Sequence, residues 1–383
     1  MSIISSHSPT RTQKLKTLSG VWLVLASASA TNIVTADTPL GWLNNNNMSA
    51  YTATRGELEL SGSFQRVNDT IDFLNIREDL FANNQRLVGK SGDLSGARYE
   101  AHYGITDYLS VFARYQQHEL TVDLGDIASV NIVDISPSLD TTQKEVGIKW
   151  MLYEADLLNP DNRQTALSLQ ISGTRNETDD FDVFIDRIDF SNFTVFFTDP
   201  TAFSVDEMED EGWSGRLLYS TALENLGVGS LWAGYGESSG TSGTSTNAIN
   251  GTVRNLFAQS FELEESYFYL GASINFSLRP RIRASLSYEF IDIAESKFSR
   301  EPLTPSSQLP SFLSVNGLAD EDRNHTLSAR LSYWLTPEIN ASISGQLYSN
   351  QFLGRLPHYN NPLGESFASV PYGFIGAELA YKF

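Results

Sequence analysis

The chain ends Tyr372-Gly373-Phe374-Ile375-Gly376-Ala377-Glu378-Leu379-Ala380-Tyr381-Lys382-Phe383, and the reading of this stretch decides the fold. Taken in steps of two, Ile375, Ala377, Leu379, Tyr381 and Phe383 form one apolar face, while Gly376, Glu378, Ala380 and Lys382 form the other. Successive side chains of a strand point to opposite sides, so this is a strand with one greasy and one polar face. Such a strand either edges a soluble β-sandwich or forms part of a barrel wall facing lipid.

The rest of the chain chooses between the two. The same alternation is expected near residues 54–66, 96–104, 108–120, 142–153, 164–175, 211–222, 227–237, 263–276, 281–292, 324–335 and 338–348. With the terminal strand this makes an even set of twelve. The connections alternate short and long, with tight turns at Gly104-Ile105-Thr106-Asp107, at Glu224-Asn225-Leu226 and at Ser277-Leu278-Arg279-Pro280. An even number of antiparallel strands with short periplasmic turns and long outer loops is the pattern of a transmembrane β-barrel. Closure also lets every strand be amphipathic without leaving an edge unpaired. The expected fold is therefore an all-β, twelve-stranded transmembrane antiparallel barrel spanning residues 54–383. A short helix is expected within 69–87, where Ile71, Leu74 and Leu80 have helical spacing.

The chain resembles known families in three respects. The terminal strand, closing on Phe383, resembles the C-terminal signal of bacterial outer-membrane β-barrels. That resemblance implies that Tyr381 and Phe383 act as an assembly signal read by the barrel-assembly machinery. The segment Tyr103-Gly104-Ile105-Thr106-Asp107-Tyr108-Leu109-Ser110 is similar to a strand–turn–strand of several outer-membrane barrel families, among them the one named for the meta pathway of phenol degradation. In strand number, in its Tyr-Lys-Phe end and in lacking a passenger, the chain resembles solitary autotransporter-like barrels.

The N-terminus agrees with export. Arg11, Lys14 and Lys16 precede the apolar run Leu18 to Ala30, and Val34-Thr35-Ala36 supplies small residues for cleavage. The run is too short to cross a bilayer, so residues 1–36 read as a secretory signal peptide. Residues 37–53, with Asn44 to Asn47, read as a short periplasmic segment, too short for a plug. The expected location is the outer membrane of a Gram-negative bacterium, in contact with lipid and lipopolysaccharide. Trp150, Tyr153, Trp213, Tyr219, Trp232, Tyr288, Tyr333 and Tyr381 lie near strand ends and are candidates for aromatic girdles.

Composition excludes several functions. There are no cysteines, hence no disulfide framework and no thiolate metal or redox site. A formal net charge of −20 argues against nucleic acid as a partner. Histidine is scarce; His325 lies beside Asp320, Glu321 and Asp322, but a rim histidine in a solvated acidic loop explains it without catalysis. Gly236-Glu237-Ser238-Ser239-Gly240 has nucleophile-elbow spacing, which carries meaning only between a strand and a helix, and it falls at the start of an expected outer loop. No enzyme and no cofactor is expected. The acid-rich stretch 176–211 is a solvated outer loop able to attract divalent cations but without EF-hand spacing. Residues 238–260 read as a second, Gly/Ser/Thr-rich outer loop.

The inward-facing charges are the most informative set: Arg98, Glu100, Arg114, Glu145, Lys149, Arg216, Arg283, Glu289, Arg330 and Glu378. Twelve strands enclose a space between a side-chain-filled small barrel and an open porin. These charges either seal the lumen as cross-strand pairs or line a narrow pore. The excess of bases at mid-depth favours a passive channel for small polar or anionic solutes. The alternative is a non-transporting surface scaffold, and an outer-membrane hydrolase comes last. At the seam, Lys382 and Glu57 are expected to pair.

Overall fold

A computed structural model describes residues 48–67, 93–121, 130–135, 139–155, 165–189, 194–223, 227–247, 259–302, 323–348 and 372–383. The signal peptide at 1–36 and the helix expected within 69–87 lie outside them. The described residues form fourteen strands and no helix: β1 (Leu58–Val67), β2 (Asp93–Thr106), β3 (Leu109–Thr121), β4 (Val130–Ile135), β5 (Leu139–Ala155), β6 (Thr165–Thr178), β7 (Phe181–Asp189), β8 (Thr194–Leu223), β9 (Gly227–Thr246), β10 (Gln259–Arg279), β11 (Ile282–Pro302), β12 (Arg323–Trp334), β13 (Ile339–Tyr348) and β14 (Tyr372–Lys382).

Twelve of them close into an antiparallel barrel. The hydrogen-bonded order runs β8-β6-β5-β3-β2-β1-β14-β13-β12-β11-β10-β9, and pairing of β9 with β8 completes the ring. The remaining two, β4 and β7, pair with each other, and β7 continues onto the outer part of β8. The first and last barrel strands form the seam, in register from Glu59 opposite Lys382 to Val67 opposite Phe374. Phe383 extends it, its backbone N–H donating to the Leu58 carbonyl at 2.8 Å.

The wall shows why these residues make strands. Leu60, Phe64, Val146, Ile148, Leu270, Ile343, Ile375 and Leu379 are exposed on the outside, and their strand neighbours face in. An exterior this apolar is unstable in water and suits lipid. Trp150, Tyr153, Trp213, Tyr219, Tyr288, Tyr333 and Tyr381 are exposed as well.

Two expectations need correction. The stretches 176–211 and 238–260 are not simply loops, because β8 reaches back to Thr194 and β9 runs on to Thr246. Here, over 206–212 and 237–246, the residues are polar or glycine apart from Met208, so the chain carries no apolar alternation. It is strand because its neighbours supply hydrogen bonds: Glu211 stands opposite Ser239, and Asp210 opposite Gly240. The Gly-x-Ser-x-Gly motif at 236–240 therefore lies inside β9. Trp232 does not belong to a girdle either. It is 2% exposed and points inward, in space left by Gly271 directly across β10. A Cβ at Gly271 would collide with the indole.

Candidate functional site: the barrel lumen

The lumen has two differently built halves. Toward the short turns it is filled by the chain's own N-terminal segment. Residues 48–53, expected to stay outside, enter the barrel and then leave it through Gly56 (φ 80°) into β1. That backbone region suits glycine. Ser49, Ala50, Tyr51 and Thr52 are all buried, Tyr51 to 1% exposure.

Several side chains of the wall hold this segment. The Ala50 N–H donates to Ser220 Oγ at 2.8 Å, and Ser168 Oγ donates to the Ala50 carbonyl. Lys149 Nζ donates to the Ser49 carbonyl at 2.9 Å. At the turn, Thr52 Oγ1 donates to the Asp107 carbonyl at 2.8 Å, and the Arg55 N–H to Asp107 Oδ1 at 3.1 Å. Backbone groups of an irregular segment survive burial only when satisfied in this way. The wall is apolar where the segment touches it: Ala50 and Tyr51 pack in one cluster with Met151, Ala166, Leu218, Val228 and Trp232, and Met48 covers them. These are inward positions on β5, β6, β8 and β9 in an otherwise polar lumen.

Beyond Met48 the other half is an open, polar cavity of about 180 Å³. Arg98, Arg114, Glu145, Arg216, Glu289, Arg330 and Glu378 all line it. Their charges are joined in pairs. Arg114 bridges two carboxylates, with Nε 2.9 Å from Glu100 and Nη1 2.5 Å from Glu145. Glu100 also pairs with Arg98, and Arg330 pairs with Glu378. Arg216 Nη1 lies 3.1 Å from Glu289, which also accepts from Trp232 Nε1 at 2.9 Å. The same guanidinium stands over the Tyr269 ring at 4.2 Å. Charge-assisted pairs of this kind, in a confined space, are among the stronger polar contacts.

The remaining charges sit elsewhere. Lys149 is 2% exposed and committed to the inserted segment. Arg283 stacks on the Trp334 ring at 4.7 Å. At the seam Lys382 Nζ lies 2.6 Å from Glu57, so those two do pair. Tyr381 and Phe383 form an exposed edge-to-face pair, ring centroids 4.3 Å apart.

Sequence reasoning missed the inserted segment and its sockets, Ser168, Ser220, Leu218 and Trp232. The signal was present as apolar residues at inward positions of β5, β8 and β9. The excess of bases also misled: Arg114, Arg216 and Arg330 each have a carboxylate on a neighbouring or more distant strand. Among the histidines, His325 meets Tyr288 Oη at 2.7 Å and His102 stacks on Phe112. In the outer stretch, Arg175 is shared among Glu177, Glu209 and Glu211 at 2.7–3.3 Å. Among the described residues, no three potential ligands are gathered to hold a metal ion.

No protein-family model matches the chain, and no curated protein sequence does. Solved structures do. The translocator domain of autotransporter NalP from Neisseria meningitidis is similar with a TM-score of 0.51 at 8% identity, covering 96% of each chain. The fold is that of a bacterial outer-membrane β-barrel. Outer-membrane barrels of other kinds match more loosely. The Pseudomonas putida toluene transporter TodX gives a TM-score of 0.41 at 8% identity, over 91% of this chain and 94% of its own. A Pseudomonas aeruginosa FadL homologue gives 0.41 at 11%, over 88% and 92%.

Proposed function

We propose that the protein is an outer-membrane barrel that is closed at rest. It admits small polar solutes into the cavity facing the long connections and passes them only when residues 48–53 withdraw. The observation that carries this reading is the inserted segment: it fills the short-turn half and is hydrogen-bonded to three strands, β5, β6 and β8, and to the turn between β2 and β3. A ring of uncompensated cations raises local anion concentration, but paired cations do so weakly. The solutes are therefore polar rather than specifically anionic.

In this reading the short turns face the periplasm and the long connections the exterior. The wall contacts lipid and lipopolysaccharide, and Tyr381 and Phe383 present the strand end to the assembly machinery. No cofactor takes part. The scaffold alternative draws on a different observation, that β4, β7 and the outer parts of β8 to β11 form sheet beyond the ring of twelve.

Planar-bilayer recording separates the readings. The whole mature protein should give no steady current, and a variant lacking residues 37–53 should conduct. Steady wild-type conductance overturns closure at rest. Silence of both proteins leaves the scaffold.

A further inference from the structure

We propose that the cavity beyond Met48 is a binding site for a small, uncharged, polyhydroxylated solute, recognised by Gln170 and Arg216 acting together. The inference rests on the cavity being the chamber that admits solutes. Gln170 on β6 and Arg216 on β8 are directly opposite each other, and both line the cavity. Gln170 is 3% exposed, yet its Oε1 accepts no hydrogen bond from the protein. Arg216 uses Nη1 on Glu289, but its Nε–H has no protein acceptor. A buried acceptor and a buried donor thus sit at paired positions of neighbouring strands, neither answered by the other or by any protein group.

Buried polar groups are nearly always met by protein, water or ligand. Two adjacent hydroxyls answer this pair in one molecule. One donates to Gln170 Oε1, and the oxygen of its neighbour accepts from Arg216 Nε. A sulfate or carboxylate anion answers half of it, because it has no hydrogen to offer the amide oxygen. Charge points the same way, since the Glu289, Glu100, Glu145 and Glu378 carboxylates already compensate Arg216, Arg114 and Arg330. Ser63 Oγ, also without a protein partner, adds a third polar contact on the cavity wall. The Tyr267 ring, edge-on to Tyr269 at 4.9 Å, offers apolar surface to the C–H side of a ring. The cavity, of about 180 Å³, is roomy enough to hold several waters and to exchange them for one six-membered polyol.

The test is calorimetry on the full protein in detergent micelles with three probes: myo-inositol, cyclohexanol and sodium sulfate. The ring is shared by the first two, but only inositol has neighbouring hydroxyls. Saturable heat is expected with inositol alone. Gln170→Met keeps the length and removes the acceptor, and should weaken inositol binding about tenfold, the factor one ordinary hydrogen bond is worth. Binding of sulfate, equal binding of cyclohexanol, no heat from inositol, or undiminished binding by Gln170→Met would each overturn the proposal. If that variant fails to assemble, the three-probe comparison on the wild type decides alone. Micelles expose both ends of the barrel, so silence here defeats the binding site only. Steady wild-type current defeats closure at rest without touching it.

Discussion

The same twelve strands enclose both halves of the lumen, yet one half is filled by chain and the other is an open cavity. Toward the short turns the inward positions include Met151, Ala166, Leu218, Val228 and Trp232, and they close on Ala50 and Tyr51. Toward the long connections the inward charges pair around an open cavity, Arg98 with Glu100, Arg114 with Glu145 and Arg330 with Glu378. A barrel of this size is too wide for side chains to fill unaided. The difference shows two ways of managing that width. A borrowed segment excludes water where the wall is apolar, and a salt-bridged network tolerates water where it is polar.

Removing the seam should break both halves together and gives the largest effect. Deletion of Phe383, whose N–H bonds the Leu58 carbonyl, is expected to abolish most outer-membrane accumulation, read by fractionation and heat-modifiability on gels. Normal levels would remove its role as an assembly signal. Leu218→Ala acts on the filled half alone. It vacates a fully buried side chain against Ala50, at a cost of about 2–5 kcal/mol for a packed site. Bursts of conductance from an assembled barrel are the expected result.

Glu145→Gln acts on the open half. Arg114 keeps Glu100 and loses its second carboxylate, a loss of about 1.5–3 kcal/mol as measured by urea unfolding. No bursts should accompany it, since the inserted segment is untouched. Bursts from Glu145→Gln equal to those from Leu218→Ala would erase the distinction between the halves. Smallest is Lys144→Gln on the exposed outer part of β5. Exposed pairs such as Lys144 with Glu177, 3.0 Å apart, contribute about 0–1 kcal/mol, so the urea midpoint should hardly move.

The two halves were unequally legible in the sequence. The wall could be read because lipid outside and polar lumen inside impose a period of two on every strand, as at Ile375, Ala377 and Leu379. The outer parts of β8 and β9 could not, because a run of polar residues and glycines such as 237–246 shows no apolar period, and residues such as Ser238 and Ser239 become strand through partners distant in sequence. Parity assigns the charges to one face of each strand, but it does not give partners. Arg216 meets Glu289 across 73 positions of chain. The inserted segment was least legible, since six residues held by Ser168, Ser220 and Lys149 carry no periodicity of their own.

The central claim is that residues 48–53 sit inside the barrel against β6 and β8. The natural chain has no cysteine, so a pair introduced as Ala50→Cys and Ser220→Cys reports on that contact without background. With the Ala50 N–H 2.8 Å from Ser220 Oγ, a short thiol cross-linker or mild oxidation should join the pair in the assembled protein, and the product should stay electrically silent. Absence of cross-linking in a folded barrel, with the Ala50→Cys thiol freely labelled by bulky polar reagents, would contradict the account.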